Sequence, residues 1–407
     1  MTRPVRASRR NVRRRLLAVP AVAAVIVAAA AGCASGSSGS SGGSQASGVQ
    51  SINFGALLAQ TGPSATTGKL SQQGIAAEVA IVNSTIGAGK FKLNPIYTDN
   101  QATDSVAVSA MNQLVSVNHV PATLSIYSGP TLAIAPVATR DQVVVINHGG
   151  ESPQLSGASP YLFNAIPIVT DQTKSLIEYA VSHNHYKRIA LYYEDNATGQ
   201  GINAILPSIV AATGAQFVGA VSFETTDTNY RSGLAKIEAM HPDAVFIGNL
   251  SVDVPGAILS QAKAIGFNPA WLGYSAIIAD STTKVGGSEA NGLLADEPAD
   301  VDPETNQQYP AAAAFAKEFQ QLYHTTPPHQ AEWAGVAVQL LGSAVLQLVN
   351  AHKPVTGPNL QAALAKISVD TNLGHISFTS KNTVNGVPES IQEVKNGQFV
   401  TVSTVGQ

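Results

Sequence analysis

The chain has 407 residues, 44% hydrophobic and 12% charged: too long for one hydrophobic core and too apolar to be disordered, so two domains are expected. Its formal charge of −3 conceals an asymmetry, because seven Arg lie within residues 3–15, and without them 16 basic residues face 26 acidic ones, a balance of −10. A body that acidic is not suited to nucleic acid, and the single cysteine, Cys33, excludes an internal disulfide and a thiolate zinc cluster.

Arg3 to Arg15 make a positively charged start, and Leu16 to Ala31 an uncharged apolar run broken by Pro20. Ala30-Ala31-Gly32-Cys33 closes it. Charge, a short apolar stretch and small residues in that order make a secretory signal. The 16 residues of the run, with a proline among them, fall short of the roughly 20 that a spanning helix needs. The Ala-Gly-Cys end resembles a lipobox, in which the cysteine receives a diacylglycerol and becomes the new N-terminus, although Ala30 stands where Leu is usual. Residues 1–32 are expected to be removed, Cys33 to hold the protein to the membrane, and the Gly/Ser-rich stretch 33–50 to act as a flexible tether. No other segment reads as apolar enough to span, and the export route, general or twin-arginine, stays open.

From Ile52 the pattern alternates. An apolar run, Ile52–Ala59, precedes an amphipathic stretch, Thr66–Ser84; a strand over Phe91–Thr98 precedes a helix over Asp104–Asn118. Strands Ala122–Tyr127 and Val143–Ile146 flank a helix, Leu132–Arg140. After Pro167 the alternation resumes: helix Asp171–His183, strand Arg188–Tyr193, helix Gly201–Ala212, strand Gln216–Phe223, helix Tyr230–Met240. Strand Ala244–Ile247, helix Gly256–Ala264 and strand Trp271–Tyr274 complete this series. Short apolar strands between helices imply parallel sheets covered on both faces, hence an α/β chain of two doubly wound lobes. Helices over Gln307–Tyr323, Ala331–His352 and Asn359–Ile367 follow, then strand-like His375–Thr379 and Ile391–Val402.

The order of several motifs resembles the type I periplasmic-binding-protein fold, and within it the group that binds branched-chain amino acids. Gly55-Ala-Leu-Leu-Ala-Gln-Thr-Gly-Pro63 with Gly68 and Gly74 looks like that family's first strand and ligand loop, and Tyr97 to Asp104 like its second-strand turn. Tyr127-Ser-Gly-Pro-Thr131 and Ile146-Asn-His-Gly-Gly-Glu-Ser-Pro153 resemble its two pocket turns. Glu194 to Gly201, Pro242 to Gly248 and Leu259 to Gly266 match its second lobe. The resemblance implies three crossovers forming a hinge, with one lobe over 51–167 plus 293–375 and the other over 168–292 plus 376–407. It implies a solute-binding protein of an ABC importer: a monomer, without cofactor or metal and not an enzyme, partnered by the permease subunits. A lipid-anchored sensor serving a signalling partner is the rival reading.

In open α/β sheets ligands bind beyond the C-terminal ends of the strands, where helix N-termini offer free N–H groups to a carboxylate. The candidates placed there are Thr67, Ser128, Thr131, Gly149, Gly150 and Glu151 on one lobe, and Thr198, Asn249, Asp253 and Tyr274 on the other. The resemblance implies that Thr131 meets a ligand carboxylate and that Gly149 and Glu151 meet an ammonium group. This chain departs from the family pattern at three places. Glu151 replaces a small hydroxyl residue, Val254 stands where the ammonium-binding acid belongs with Asp253 one position away, and Thr67 and Thr198 replace wall aromatics. Two readings of Glu151 stay open: pairing with a cationic or amine-bearing ligand, or pointing to solvent. Gly199-Gln-Gly201 formally fits part of a dinucleotide fingerprint, but the polar segment Glu194–Thr198 separates it from its strand.

Overall fold

The computed structural model describes residues 49–62, 64–249, 252–298 and 310–405; the signal, Cys33 and nearly all of the tether lie outside the described residues. A first sheet holds β1 (Gln50–Leu58), β2 (Phe91–Asp99), β3 (Ala122–Ser125), β4 (Val144–Asn147) and β5 (Leu162–Asn164). Their order is β2-β1-β3-β4-β5, every pairing parallel. The connecting helices are α1 (Ala65–Ser84), α2 (Asp104–Ser116) and α3 (Ser128–Asp141). All four residues of β3 and of β4 are buried, as expected of strands covered on both faces.

The chain crosses after Asn164 and builds a second sheet. Its elements in chain order are α4 (Val169–Asn184), β6 (Arg188–Glu194), α5 (Ala197–Ala212), β7 (Gln216–Phe223), α6 (Arg231–Glu238) and β8 (Ala244–Gly248). Then come α7 (Val254–Ala264), β9 (Ala270–Tyr274), α8 (Asp280–Gly286) and β10 (Leu294–Pro298). After α9 (Pro310–Tyr323), α10 (His329–Asn350) and α11 (Gly357–Leu364), a small antiparallel sheet forms from β11 (Ser368–Thr371), β12 (Gly374–Phe378) and β13 (Val384–Asn385). The closing hairpin, β14 (Glu389–Lys395) and β15 (Gln398–Val405), joins the second sheet, whose order is β15-β14-β10-β9-β8-β6-β7. Its β6 to β10 run parallel, and β14 lies antiparallel on β10.

Two expected boundaries need correction. β10 belongs to the second sheet through its ladder to β9, so that lobe runs past 292 to at least Pro298. Residues 376–387 stay with the first lobe: Ile376 sits in the core of the first sheet, and Phe378, Val384 and Val387 pack against it. The chain's return to the second sheet therefore lies just before β14. The sequence hid β10 because Leu294-Ala-Asp-Glu-Pro298 carries two acids and a proline, and still all five residues are buried.

α10 is long and apolar enough to cross a membrane by length and composition, contrary to expectation, yet most of it is buried inside this fold. It lies along α1, and Val336, Leu340, Leu341 and Val345 join Phe54, Ile75 and Val82 in one core. Gly74 permits that approach, since a Cβ there would run into the Ala331 carbonyl. The second sheet has apolar clusters on its two faces, around Val245, Ile258 and Trp271 on one and Leu176, Leu206 and Phe246 on the other.

Candidate functional site

Each sheet has a point where strand order reverses, between β1 and β3 in the first and between β6 and β8 in the second. A crevice forms outside the C-terminal ends of strands at such points. Two cavities lie in this region. One, of about 40 Å³, is lined by Thr67, Tyr127, His148, Gly149, Glu151 and Ser275, with His329 and Trp333 from the first turns of α10. The other, of about 480 Å³, lies beside it across Tyr127 and is lined by Ser128, Gly129, Asp104, Glu194, Asn196 and Thr198.

Glu151 organises the smaller chamber. It is 3% exposed, and its Oε1 accepts from the Gln172 amide at 2.7 Å and from the Ser275 hydroxyl at 2.7 Å. Both donors come from the second lobe. The Gln172 carbonyl oxygen in turn accepts from the Ser275 backbone N–H at 3.3 Å, which fixes the amide's orientation. Burial pushes the Glu151 carboxyl up to about 7, against the pull of these two donors. Beside it His148 is fully enclosed, and burial lowers its imidazole to about 3, so it is neutral near pH 7. Neither of its ring nitrogens has a partner among the described residues. Tyr127 holds φ at 73°, an unusual backbone for a non-glycine residue, and its hydroxyl donates to the Ser64 carbonyl at 3.1 Å. Trp333 and His329 sit one helical turn apart with ring centroids 5.0 Å from each other.

Ser128 ties the loops together. Its Oγ accepts from the backbone N–H of Glu151 at 3.1 Å and of Ser152 at 3.0 Å, and from the Thr198 hydroxyl at 2.9 Å. The last of these crosses between lobes, as does the Ser152 hydroxyl, which donates to the Ala197 carbonyl at 3.1 Å. α5 starts at this contact because Asn196 caps it, accepting from the N–H groups of Thr198 and Gly199. Gly199 packs α5 onto β6, where a Cβ would meet the Glu194 carbonyl; it serves packing, not a phosphate turn.

The sequence-derived candidates divide. Thr67, Gly149 and Glu151 line the small chamber, and Ser128 and Thr198 line the adjoining cleft. Gly150 is absorbed by Asn147, which accepts its N–H at 2.7 Å and donates to its carbonyl at 2.6 Å. Thr131 lines neither cavity: its hydroxyl pairs with Ser125 at 2.8 Å, turned toward β3. Asn249 and Tyr274 are buried behind the crevice, the tyrosine hydroxyl donating to the Asn249 carbonyl and its ring stacked on Phe246. Asp253 is exposed ahead of α7 and lines neither cavity. Sequence reasoning did not single out Gln172, His329 and Trp333, and it took Tyr127 only as the start of a pocket turn and Ser275 only as part of a crevice loop after Tyr274, not as site residues. The available signals were the aromatic two residues after β3, the residue after β9, and an imidazole–indole pair four apart behind Pro327-Pro328; Gln172, inside α4, gave none. The aromatic side chains lining the small chamber beside Thr67 are Tyr127 and Trp333.

The profile of the periplasmic binding protein family matches residues 51–398. The chain belongs to that family. Among its relatives are the Leu/Ile/Val-binding protein of Citrobacter freundii, 22% identical over 81% of this chain and 86% of its own length, and that of Escherichia coli K12, 21% identical over 83% and 89%. Solved structures agree on the type I fold. A leucine-binding protein from Thermotoga maritima superposes with a TM-score of 0.78 at 18% identity, covering 87% of this chain and 99% of its own. A Rhodopseudomonas palustris solute-binding protein in complex with benzoate gives 0.76 at 18% identity, covering 87% and 96%. The Streptococcus pneumoniae branched-chain amino acid binding protein with isoleucine gives 0.74 at 21%, covering 88% and 99%.

Proposed function

We propose that this periplasmic binding protein is the solute receptor of an ABC importer, held to the outer face of a bacterial cell membrane by a lipid on Cys33. It acts as a monomer, closing two lobes about a hinge around an amino acid or related small polar molecule and presenting the closed form to the permease subunits. The proposed hinge has three crossings, the first over residues 165–168 and the third immediately before β14 at Glu389. No covalent chemistry is required of the protein, and ATP hydrolysis belongs to another subunit.

The observation that carries this reading is the bond across the crevice, in which Glu151 of the first lobe accepts from Gln172 and Ser275 of the second inside a chamber lined by both. A group placed there touches both lobes at once, which is what couples occupancy to closure. The named relatives supply the starting ligands: leucine, isoleucine, valine and benzoates. The test is a thermal-shift screen of the purified protein against amino acids, amides, amines and organic acids, followed by small-angle scattering with the best hit. A ligand at 100 times its Kd adds about 2.7 kcal/mol of stability, and the radius of gyration should fall on binding. A hit that leaves the dimensions unchanged would reject closure, and the lack of any hit would remove the support for a receptor.

A further inference from the structure

The smaller chamber is short of donors for an anion. Every backbone N–H of the His148–Ser152 loop is used within the protein. His148 donates to the Ser125 carbonyl at 3.0 Å, Gly149 and Gly150 to Asn147 Oδ1 at 3.3 and 2.7 Å, and Glu151 and Ser152 to Ser128 Oγ. The Thr131 hydroxyl is engaged with Ser125, and the Ser275 hydroxyl with Glu151. The start of α3 opens on the other cleft, and there a carboxylate already stands, since Asp104 lies against Gly129. No lysine or arginine is among the described residues lining the chamber, and its remaining side-chain donors, on Thr67, Gln330, Trp333 and the imidazoles of His148 and His329 that burial keeps neutral, carry no charge.

Acceptors, by contrast, are on offer. Both protein donors to Glu151 fall on Oε1, so Oε2 receives none among the described residues, and one nitrogen of the neutral His148 is also open. Tyr127 and Trp333 supply aromatic faces, which favour a positive charge over a negative one. We propose that the chamber selects a small organic cation bearing N–H donors, a primary amine or an amidine, with an N–H on Glu151 Oε2, and that it discriminates against carboxylates. The inference rests on the receptor reading above and narrows it. A cation also offsets the cost of ionising Glu151 in this buried place, whereas a ligand carboxylate would add a second uncompensated charge.

Matched pairs test this on the wild-type protein by isothermal calorimetry: isoamylamine against leucine, which has the same skeleton with a carboxylate added, and benzamidine or benzylamine against benzoate. At least ten-fold tighter binding of the amine or amidine in each pair is the expected result. Glu151→Gln keeps a carbonyl oxygen for Gln172 and Ser275 while removing the charge, and should weaken the amine at least ten-fold at unchanged fold by circular dichroism. Leucine or benzoate binding as tightly as its partner would overturn the proposal and leave the receptor reading intact. Amine binding unchanged in Glu151→Gln would overturn it too. Failure of every amine and amidine also overturns it, and only the further failure of every other compound class would sink the receptor reading as well.

Discussion

Buried carboxyl groups set how the folded state responds to acidity. Glu78, on α1, is 2% exposed and accepts from the Gln339 amide at 3.1 Å; burial raises its carboxyl to about 8, more than that one donor lowers it. In the unfolded chain the same group titrates near its ordinary 4.5. Between those values the unfolded state holds fewer protons than the folded one, so stability falls as pH rises, by up to about 1.4 kcal/mol per pH unit for this group. Asp296 and Glu389, buried on neighbouring strands, are raised as well and act with the same sign, Asp296 by burial and the charge of Glu389, and Glu389 by burial and the charges of Asp171 and Glu151. Urea titrations at pH 5 and pH 8 should therefore show a less stable protein at the higher pH. Glu78→Gln should shrink that difference by its own share; an identical slope in the variant would mean that Glu78 ionises freely in the fold.

At the scale of elements, the approach of α10 to α1 governs both stability and the site. Gly74→Ala gains about 1 kcal/mol of helix propensity, but its methyl group meets the Ala331 carbonyl, and overpacking of this kind costs about 1–3 kcal/mol. Net destabilisation is expected in urea melts; a stabilised variant would show that the two helices separate without penalty. Because His329 and Trp333 ride on the same end of α10, the shift should also reshape the chamber. This pairing explains what the sequence displayed and what it hid. Strands such as Val144–Asn147 announce themselves by a local apolar run, and Glu151 stood out because, in the loop after such a strand, a carboxylate stands where a small hydroxyl residue is usual. The chamber's other side arrives from far along the chain, where Trp333 reads as one more apolar residue of a helix buried nearly all round. Thr131 was misplaced for the complementary reason: a hydroxyl in the right turn has two directions to face, and Ser125 decides between them. β10 broke every strand rule locally and is held by its neighbours on both sides.

For the whole molecule, the proposed anchor and the body are separable by one atom. Cys33→Ala should release the protein from the membrane pellet into the soluble fraction of lysed cells, with its ligand-induced thermal shift unchanged; full retention in the pellet would reject lipidation. The body, residues 48–407, is one compact unit threaded back and forth between two sheets. The last strand of the first sheet ends at Asn164, while the helix that covers that sheet's core begins only at His329. During synthesis the face of the N-terminal lobe that α10 covers accordingly stays incompletely buried until residues 329–350 have been made. Contacts spanning such distances also fold slowly, because the intervening loop must be closed first. A nascent polypeptide of this design stays open on that face through most of translation, and the arrival of α10 is the step that completes the first lobe's architecture.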